Sequence, residues 1–382
     1  MTECISDNRS IIFAGGGTGG HLLPGIAVAD QLVSLSAFRI LFVGSNRPVE
    51  QQIIERAGYQ HLRLPSSSTS DLKRAPFRFF WNNSRALFQA WRFLRKEKPV
   101  IVIGLGGFAS VPLVIAASWL KIPIVLLEQN IIAGRANRFL FSRSNLVCTS
   151  FAETIFKNAG SKKAGQPRLL FTGNPVRKEI LQEVSSKETP IDNIENALIL
   201  VLGGSQGATA VNDAVISMLK QSSGKLPHQL QLVHQTGNSD FTNVENEYQQ
   251  LRDIYPGLHV TVQPFFEDLT KWYTRADLVI SRAGATTLAE LACAGCPTVL
   301  IPFPNSIGDH QLINARFYEN NGAAVLVEQA QDTDSTARLL RDTVLTLLTD
   351  CDQRSQMRQS MLEISLPQAA RQVADEIANL IN

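Results

Sequence analysis

Residues 15–21 read GGGTGGH, five glycines and one histidine that directly follow the apolar run SIIFA. Glycine lets a backbone pass close to a ligand and adopt positive φ angles. A histidine at the end of such a turn could act as a general base near neutral pH. His21 is therefore the first candidate for proton abstraction. On the turn alone a second interpretation stays open, in which His21 caps a helix that starts near Pro24 and bonds a backbone carbonyl.

The same turn satisfies the GxGxxG pattern of dinucleotide-binding folds through Gly15, Gly17 and Gly20. Such folds also carry an acidic residue about 20 positions further on, at the end of the second strand, which holds the ribose. Here that strand ends LFVGSN, and the turn lacks the lysine of a GxxxxGK[ST] phosphate loop. Ordinary nucleotide motifs are therefore excluded.

A second glycine-rich turn, GGSQG at residues 203–207, lies between a predicted strand and a predicted helix. It matches the GxSxG pattern of esterases, with Asp309 and His310 downstream. Two adjacent residues can hardly be the separate acid and base of one triad, so an esterase is only a remote alternative. We favour Ser205 as a phosphate ligand, because its hydroxyl and the exposed amides of a helix N-terminus can meet an anion there.

A third turn, SRAGATTLAE at residues 281–290, predicts another helix N-terminus after Gly284. Arg282 suits a diphosphate, and Glu290 could accept hydrogen bonds from both hydroxyls of a ribose. The alternative for Glu290 is an exposed helix charge. Its place behind a glycine turn and a lone arginine favours the nucleoside anchor.

Residues 73–98 combine eight Lys and Arg with seven Phe and Trp and one glutamate. Phe88, Trp91 and Leu94 recur at helical spacing, which predicts an amphipathic helix on an anionic lipid surface. RNA binding is the weaker alternative because such readers usually mount their aromatics on strands, and in a third interpretation the aromatics are simply core. The predicted membrane patch comprises Lys73, Arg74, Arg78, Phe79, Phe80, Trp81 and Arg85.

Composition limits the remaining classes. A chain of 382 residues with 44% hydrophobic residues can form two domains, and a net charge of +2 implies no nucleic-acid partner. The N-terminus shows no secretory signal, and the longest apolar passage, residues 111–127, contains Pro112, Lys121 and Pro123, so it predicts a helix followed by a strand and not a membrane span. We expect cytosolic residence.

Cysteines and aspartate pairs are interpreted structurally. The five cysteines fit reduced thiols, and the CxxC of Cys293 and Cys296 ends a small-residue helix, which favours buried packing over zinc or redox chemistry. The DxD pairs at residues 332–334 and 350–352 resemble those of metal-dependent sugar transferases. Aspartates also cap helices, so we assign no metal and no cofactor.

The elements that must position these residues follow a repeated pattern. Apolar runs such as IIFA, RILFV, VIVIG and PIVLLEQ alternate with helix-length stretches, and the pattern restarts at ALILVLGGSQGATAVNDAVISML. This predicts α/β architecture with two doubly wound domains, separated by a weakly structured stretch at residues 177–196. Two such domains place helix N-termini across a cleft where anionic ligands bind.

Segments along nearly the whole chain together resemble the MurG family: GGGTGGHLLPGIAVA, GLGGFASVP, LEQNIIAGRANR, GNPVR, GGSQGA, HQTG, SRAGATTLAE and DHQLINA. The resemblance implies the GT-B glycosyltransferase fold, with two Rossmann-like domains facing a cleft. It implies an acceptor and membrane domain at 1–176, with a C-terminal helix at 366–382 that packs back on it, and a UDP-N-acetylglucosamine (UDP-GlcNAc) donor domain at 177–365.

The resemblance also implies an activity, which is hexosyl transfer of N-acetylglucosamine (GlcNAc) from UDP-GlcNAc to lipid I, giving lipid II for peptidoglycan. The implied setting is the cytoplasmic face of the plasma (inner) membrane as a peripheral protein, in cell wall biogenesis, cell shape and cell division, with a cell-wall synthesis complex as a further partner. Alternatives are a GT-B enzyme on another lipid such as diacylglycerol, a UDP-GlcNAc epimerase, and a sensor that binds the donor without turnover.

Site residues carry over position by position. Thr18, Gly19 and Gly20 resemble the loop near the donor sugar, Asn130 a sugar contact, Phe266 a backbone contact to uracil, and Gln311 the reader of the GlcNAc hydroxyls. With the positions argued above, the predicted donor-binding residues are Thr18, Gly19, Gly20, Asn130, Arg177, Ser205, Gln206, Phe266, Arg282, Ala285, Thr286, Thr287, Leu288, Ala289, Glu290 and Gln311. The loop similar to that facing the acceptor diphosphate comprises Gly106, Gly107, Phe108 and Ser110.

Two departures from the family bear on catalysis. Some members carry a tyrosine where this chain has Phe108, and a histidine where it has Leu127. If either group had an essential role in proton transfer, this chain would lack it. That shifts the prediction of the general base toward His21, with Glu128 as the secondary candidate.

Overall fold

The computed structural model describes residues 9–17, 19–35, 38–66, 76–156, 166–185, 196–204, 207–222, 225–304 and 306–381. The chain divides into two compact units. The first comprises Met1–Arg177 with Leu366–Asn382, and the second comprises Lys178–Ser365.

The first unit contains a sheet of seven parallel strands in the order β3-β2-β1-β4-β5-β6-β7. The strands are β1 Ser10–Gly15, β2 Arg39–Gly44, β3 Gln60–Arg63, β4 Ile101–Gly106, β5 Ile124–Glu128, β6 Leu146–Thr149 and β7 Arg168–Phe171. The helices are α1 Gly19–Leu35, α2 Pro48–Arg56, α3 Pro76–Glu97, α4 Ser110–Trp119, α5 Arg135–Leu140 and the C-terminal helix Ala369–Ile381.

Both faces of this sheet are buried, which explains why its central strands are continuous apolar runs. On one face, Phe13 stacks on Phe42 with ring centroids 4.9 Å apart, and α1 and the C-terminal helix cover them through residues such as Leu22 and Val373. On the other face, α3 and α4 cover the sheet through residues that include Leu94. The chain order reverses between β1 and β4, and ligands of open parallel sheets bind at the carboxyl ends of the strands at such a point.

The second unit repeats this plan with six parallel strands in the order β10-β9-β8-β11-β12-β13. The strands are β8 Asn196–Leu202, β9 Gln229–Gln235, β10 Leu258–Gln263, β11 Leu278–Ser281, β12 Thr298–Leu300 and β13 Ala324–Leu326. The helices are α6 Lys178–Ser185, α7 Thr209–Gln221, α8 Phe241–Ile254, α9 Thr270–Arg275, α10 Ala285–Ala294, α11 His310–Asn320, α12 Thr333–Thr349 and α13 Cys351–Ile364. The reversal point lies between β8 and β11, directly before two of the predicted glycine turns.

One element departs from the sequence prediction. Residues 177–196 were expected to be weakly structured, but residues 178–185 of this stretch form α6. Ile180 is fully buried, and α6 packs against α9 and α10. An amphipathic helix of two turns is too short to show a clear period in the sequence.

The motifs predicted to be structural do pack as scaffold. Cys293 and Cys296 are buried free thiols, and the Sγ of Cys296 donates to the carbonyl oxygen of Tyr273. Asp332 caps α12 by accepting from the amide of Ser335, and Asp350 caps α13 in the same way. Within the described ranges, no helix has the length and apolarity that crossing a membrane requires.

Candidate active site

The glycine loop after β1 leads directly into α1, which begins at Gly19. A helix start near Pro24 is therefore wrong, because Pro24 lies inside the helix and His21 lies in its first turn. The imidazole packs against Gly106 at the end of β4. A Cβ added at Gly106 would lie 3.0 Å from Cδ2 of His21, so only glycine fits beside the ring without displacing it. Thr18 lies outside the described residues.

The loop after β4, the predicted acceptor loop, packs against the glycine loop. A Cβ on Gly107 would lie 2.7 Å from the carbonyl oxygen of Gly16, and one on Gly15 would lie 2.8 Å from the carbonyl oxygen of Gly106. The hydroxyl of Ser110 donates to the carbonyl oxygen of Gly107 at 2.8 Å. The structure thus brings together His21 and the predicted acceptor-diphosphate residues, which are 85 or more positions apart in the sequence.

A buried carboxylate that the sequence analysis missed lies beneath the glycine loop. Glu50, on α2, is 0% exposed, and its Oε1 accepts the amide of Gly17 at 2.6 Å. Its Oε2 accepts the amide of Ser45 at 2.7 Å, and the Ser45 hydroxyl donates to Oε1. The sequence signal for this arrangement is weak, since a glutamate in the first turn of a helix is ordinarily a favourable surface charge.

Arg47, immediately before α2, contacts both loops of the first unit. Its Nη1 donates to the carbonyl oxygen of Gly17 at 2.9 Å, and its guanidinium lies 5.5 Å from the ring centre of Phe108. Phe108, the position where some family members have tyrosine, therefore packs as an aromatic platform under a cation. A cation over a ring face at this distance is attractive.

Glu128, the secondary base candidate, is buried at the end of β5. One carboxylate oxygen accepts the amide of Asn130 at 2.9 Å, and the other accepts the amide of Gly134 and the side chain of Asn137, each at 2.9 Å. Burial raises the pKa of Glu128, and these hydrogen bonds oppose the rise. With both oxygens engaged, the geometry favours a positioning role for Glu128, which fixes the predicted sugar contact Asn130, over proton abstraction.

Asn137 joins Glu128 to the His21 region. Its Nδ2 donates to Glu128 and to the carbonyl oxygen of Leu127, and this Nδ2 lies 3.6 Å from the Cβ position of Gly106, the same position that His21 contacts. Leu127 is buried in the apolar core under the sheet. Leu127, at the position where some family members have histidine, therefore packs in the core, and its carbonyl oxygen accepts from Asn137.

In the second unit, Glu290 is buried, at 4% exposure, and accepts a hydrogen bond from the hydroxyl of Tyr273 at 3.0 Å. The interpretation of Glu290 as an exposed helix charge is therefore wrong. Among the described residues, no side chain caps its helix α10 at Gly284, and the first turn carries no acidic residue. Such an N-terminus favours an anion. Ala285, Thr286 and Leu288 are buried in α10, and Thr287 and Ala289 are half-buried.

Arg282, the predicted diphosphate contact, makes several hydrogen bonds within the fold. It is 8% exposed, and its Nη1 donates to the carbonyl oxygens of Ile301 and Pro302 at 2.9 and 3.1 Å. Its Nη2 donates to Gln329 at 3.0 Å, and burial lowers its pKa to about 10. The guanidinium thus fixes the segment that follows β12. In the sequence Arg282 lies two residues before Gly284, the N-cap of α10.

The HQTG segment at the end of β9 belongs to a hydrogen-bond network around buried His234, which reaches the half-buried carboxylate of Asp240 through the side chain of Asn212 at 2.9 Å. His234 contacts the Tyr248 hydroxyl through Nδ1 at 2.7 Å and Asn212 Oδ1 through Nε2 at 3.0 Å, so Nε2 carries the hydrogen and the Tyr248 hydroxyl donates to Nδ1. Burial lowers the pKa of His234 to about 3. The side chain of Asn212 donates in turn to the carbonyl oxygen of Thr236 at 3.0 Å. The turn is therefore anchored without a charged imidazole.

Gln235 is the second residue that sequence reasoning missed. Its Nε2 donates to the carbonyl oxygen of Gly204 at 3.0 Å, and its Oε1 accepts the amide of Phe266 at 3.0 Å. It therefore ties the GGSQG turn to the residue predicted to contact uracil. The amide of Phe266 already donates to Gln235, so a backbone contact from Phe266 to uracil would be made by its carbonyl oxygen. Ser205 and Gln206 lie outside the described residues.

Two further predicted donor residues have defined settings. Gln311, near the start of α11, accepts the amide of Phe303 on its Oε1 at 2.9 Å, which leaves its amide NH₂ as the group that can donate to a sugar hydroxyl. Arg177, at the end of the first unit, is half-buried. Gly19, buried, and Gly20, exposed, form the first turn of α1 together with His21.

The predicted membrane patch lies on α3, whose two faces differ. Ala86, Ala90 and Leu94 are buried against the first unit, whereas Phe77, Phe80 and Trp81 are 90, 62 and 72% exposed. Arg78 and Arg85 are exposed beside them, and Phe79 is half-buried against Phe80. The interpretation of all these aromatics as core is therefore wrong. Lys73 and Arg74 lie outside the described residues.

Two parallel α/β units, each with glycine turns at the carboxyl ends of its strands, define the class of protein. This is the GT-B fold of glycosyltransferases. Residues 11–149 match the glycosyltransferase family 28 N-terminal domain, and residues 198–376 match the C-terminal domain of the same family.

A relative from Anaeromyxobacter sp. strain Fw109-5 is 37% identical over 97% of this chain and 93% of its own length. It is named UDP-N-acetylglucosamine–N-acetylmuramyl-(pentapeptide) pyrophosphoryl-undecaprenol N-acetylglucosamine transferase. The crystal structure of Acinetobacter baumannii MurG is similar with a TM-score of 0.73 and 28% identity, over 97% of this chain and 99% of the other. The chain belongs to the MurG family of UDP-GlcNAc-dependent glycosyltransferases.

The fold is shared more widely than the family. The UDP-GlcNAc 2-epimerase from Neisseria meningitidis, solved with UDP-GlcNAc bound, has a TM-score of 0.68 at 12% identity, over 97% of this chain and all of the other. At that identity the likeness concerns the fold alone. The epimerase alternative thus has the same architecture, but family membership favours the transferase.

Proposed function

We propose that this chain transfers GlcNAc from UDP-GlcNAc to the C4 hydroxyl of the muramyl sugar of lipid I and so forms lipid II for peptidoglycan. Membership of the MurG family supports this assignment directly. The structural observation that carries it is Glu290, a carboxylate buried on α10 behind a helix N-terminus without a side-chain cap. A nucleoside diphosphate needs those two features, an acceptor for ribose hydroxyls and donors for phosphate.

The second unit binds the donor in this proposal. Glu290 holds the ribose, Phe266 contacts uracil through its main chain, and Gln311 donates to the sugar. The diphosphate lies against Ser205 and the amides of α10. Since UDP leaves as an anion, these donors stabilise the charge that develops in the transition state, and the proposed chemistry needs no metal.

The first unit binds the acceptor. The loops around Gly106 and Gly107 face its diphosphate, and His21 takes the proton from the C4 hydroxyl as that oxygen attacks the anomeric carbon from the side opposite UDP. The product is a β linkage, formed by inversion. A positioned general base contributes about 10²- to 10⁴-fold to such a step.

The assignment is tested by incubating the full chain with radiolabelled UDP-GlcNAc and a lipid I analogue, then measuring the product mass. We expect one added GlcNAc on the muramyl sugar. UDP-N-acetylmannosamine without acceptor would support the epimerase, transfer only to diacylglycerol would support another lipid glycosyltransferase, and UDP-GlcNAc binding without turnover would support a sensor. Reaction of Ser205 with a serine-directed phosphonate would favour the esterase.

We also propose that α3 holds the enzyme at the cytoplasmic face of the plasma membrane as a peripheral protein, within reach of lipid I and of other cell-wall synthesis proteins. Exposed Phe77, Phe80 and Trp81 beside Arg78 and Arg85 support this, because aromatics enter the headgroup region while arginines attract anionic lipid.

Vesicle sedimentation tests this surface. Phe80→Ser with Trp81→Ser should reduce binding to vesicles that contain phosphatidylglycerol by at least about 10-fold, since one buried apolar side chain alone contributes about 1.5–3 kcal/mol. The control is Ile254→Ser with Leu339→Ser, which removes two exposed apolar side chains from the second unit. Unchanged vesicle binding of the Phe80→Ser, Trp81→Ser variant would contradict the proposal that α3 contacts the membrane.

A further inference from the structure

Two charged residues, Arg47 just before α2 and Glu50 on α2, form hydrogen bonds to both main-chain polar groups of Gly17 in the glycine loop. Glu50 accepts the amide of Gly17 at 2.6 Å, and Arg47 donates to the carbonyl oxygen of the same residue at 2.9 Å. Gly17 has a φ of 102°, a region that favours glycine, and it lies two residues before the start of α1. Both polar groups of the residue that leads into the His21 helix are thus held by charged side chains.

The space around Glu50 is shaped for a carboxylate. A Cβ on Gly16 would lie 2.5 Å from its Oε2, and a Cβ on Gly44 would lie at the same distance from that atom. His61 lies on the other side, with Nε2 3.9 Å from Oε2 and with no hydrogen-bond partner for either ring nitrogen among the described residues. Burial lowers the pKa of His61, and the carboxylate of Glu50 opposes this shift.

Burying an ionised carboxylate carries a large desolvation cost unless donors satisfy it. The amides of Gly17 and Ser45 and the Ser45 hydroxyl supply such donors, and hydrogen bonds to a charged group are about twice as strong as neutral ones. The two backbone amides are bound to different oxygens of the carboxylate, so a glutamine here would place its NH₂ donor group against one of them. The arrangement therefore fixes the loop more firmly than neutral groups at the same place would.

We propose that Glu50 and Arg47 are positioning residues for transfer, which set the path of the glycine loop and thereby the orientation of His21 against Gly106. This rests on the function proposed above, because it assigns the consequence to the acceptor step. Neither residue is assigned a contact with substrate. Their effect should therefore be mainly on turnover and not on binding of UDP, since the uridine and diphosphate of the donor are proposed to be held by the second unit.

The decisive variant is Glu50→Gln, with Glu55→Gln as the matched control. Glu55 lies on the same helix, is exposed, and accepts only from Gln51 among the hydrogen bonds described here. We expect kcat with a lipid I analogue to fall about 10- to 100-fold in Glu50→Gln, as misplacement of a catalytic group by about 1 Å can cause. The affinity for UDP by calorimetry should stay within about 2-fold.

Hydrogen exchange gives a readout that does not depend on activity. The Gly17 amide should exchange faster in Glu50→Gln than in wild type or Glu55→Gln, since its carboxylate acceptor is gone. If Glu50→Gln does not fold, Arg47→Met removes the other hydrogen bond to Gly17, and Arg56→Met on α2 is its control. We expect Arg47→Met to lower kcat by about 3- to 10-fold.

Folded Glu50→Gln with wild-type kcat, or Arg47→Met with wild-type kcat, would overturn the proposal. So would a rise in the donor KM that accounts for the whole loss. If wild type itself forms no glycosylated lipid, the proposed function fails instead. The exchange of the Gly17 amide then still reports whether Glu50 holds the glycine loop.

Discussion

The two units hold their glycine turns with opposite chemistry. In the first unit, the loop before α1 is fixed by charged groups, Glu50 on the amide and Arg47 on the carbonyl oxygen of Gly17. In the second unit, the turn after β8 is fixed by the neutral amide of Gln235, which donates to Gly204. In the adjoining network the imidazole is neutral, because burial lowers the pKa of His234 to about 3, and the half-buried Asp240 accepts from Asn212 at 2.9 Å.

This difference has a physical reason in the proposed ligands. A buried carboxylate beside the GGSQG turn would repel the diphosphate that the turn is proposed to bind, and a neutral glutamine does not. The first loop is proposed to carry a base, and the buried carboxylate beneath it is accompanied by the cation of Arg47, which binds the same glycine. Two turns of similar sequence thus need different supports.

The strongest test of the comparison is His21→Ala. We expect kcat with a lipid I analogue to fall by about 10²- to 10⁴-fold, the usual contribution of a general base. UDP affinity, measured by calorimetry, should stay within about 2-fold because the residues proposed to hold uracil, ribose and the donor diphosphate lie in the second unit. A wild-type rate would remove His21 as base, and an equal loss of UDP affinity would show that the two units do not divide the work as proposed.

The opposite pattern is expected for Glu290→Ala. Removal of a buried carboxylate that accepts ribose hydroxyls should raise the UDP-GlcNAc KM by about 10- to 100-fold, because hydrogen bonds to charged groups contribute about 1.5–3 kcal/mol. Tyr273→Phe, which removes the hydroxyl that donates to Glu290, is a milder companion. A donor KM unchanged in Glu290→Ala, measured by initial rates, would contradict the ribose assignment.

A smaller effect is expected for Gln235→Leu. The substitution removes the link between Gly204 and Phe266, and we expect UDP affinity to fall about 5-fold, which corresponds to a net hydrogen-bond contribution of about 1 kcal/mol. Gln329→Leu is not a suitable control because Gln329 holds Arg282. Gln359→Leu, on the exposed face of α13, is suitable. Equal UDP affinity in both variants would make Gln235 a packing residue only.

The mildest test concerns acid stability. The folded pKa of His234 is about 3 and its ordinary value is 6.5, so the unfolded chain binds the proton first. This contribution to stability is present above about pH 6.5 and is lost as the pH falls toward 3, at up to about 1.4 kcal/mol per pH unit. Urea unfolding of the second unit should show a shallower pH slope in His234→Gln, and the exposed His228→Gln should keep the wild-type slope.

The central strands were the easiest to predict. IIFA, RILFV and ALILVL form β1, β2 and β8, since continuous apolar runs between turns are a strong signal. The edge strands β3 and β7 were not predicted. Their residues are largely exposed, and QHLR has no apolar run, while the run in RLLF is only three residues long.

The sequence by itself determined the class of each turn, the candidacy of His21 and Glu290, and the amphipathic residues of α3, because residue type and local spacing decide these. Only the tertiary structure decided what supports them. Glu50 contacts Gly17 from 33 positions away, and Gln235 contacts Gly204 from 31 positions away. Such contacts depend on which strands become neighbours in the sheet, and no local pattern encodes whether a polar side chain of a helix or strand end is buried against another loop.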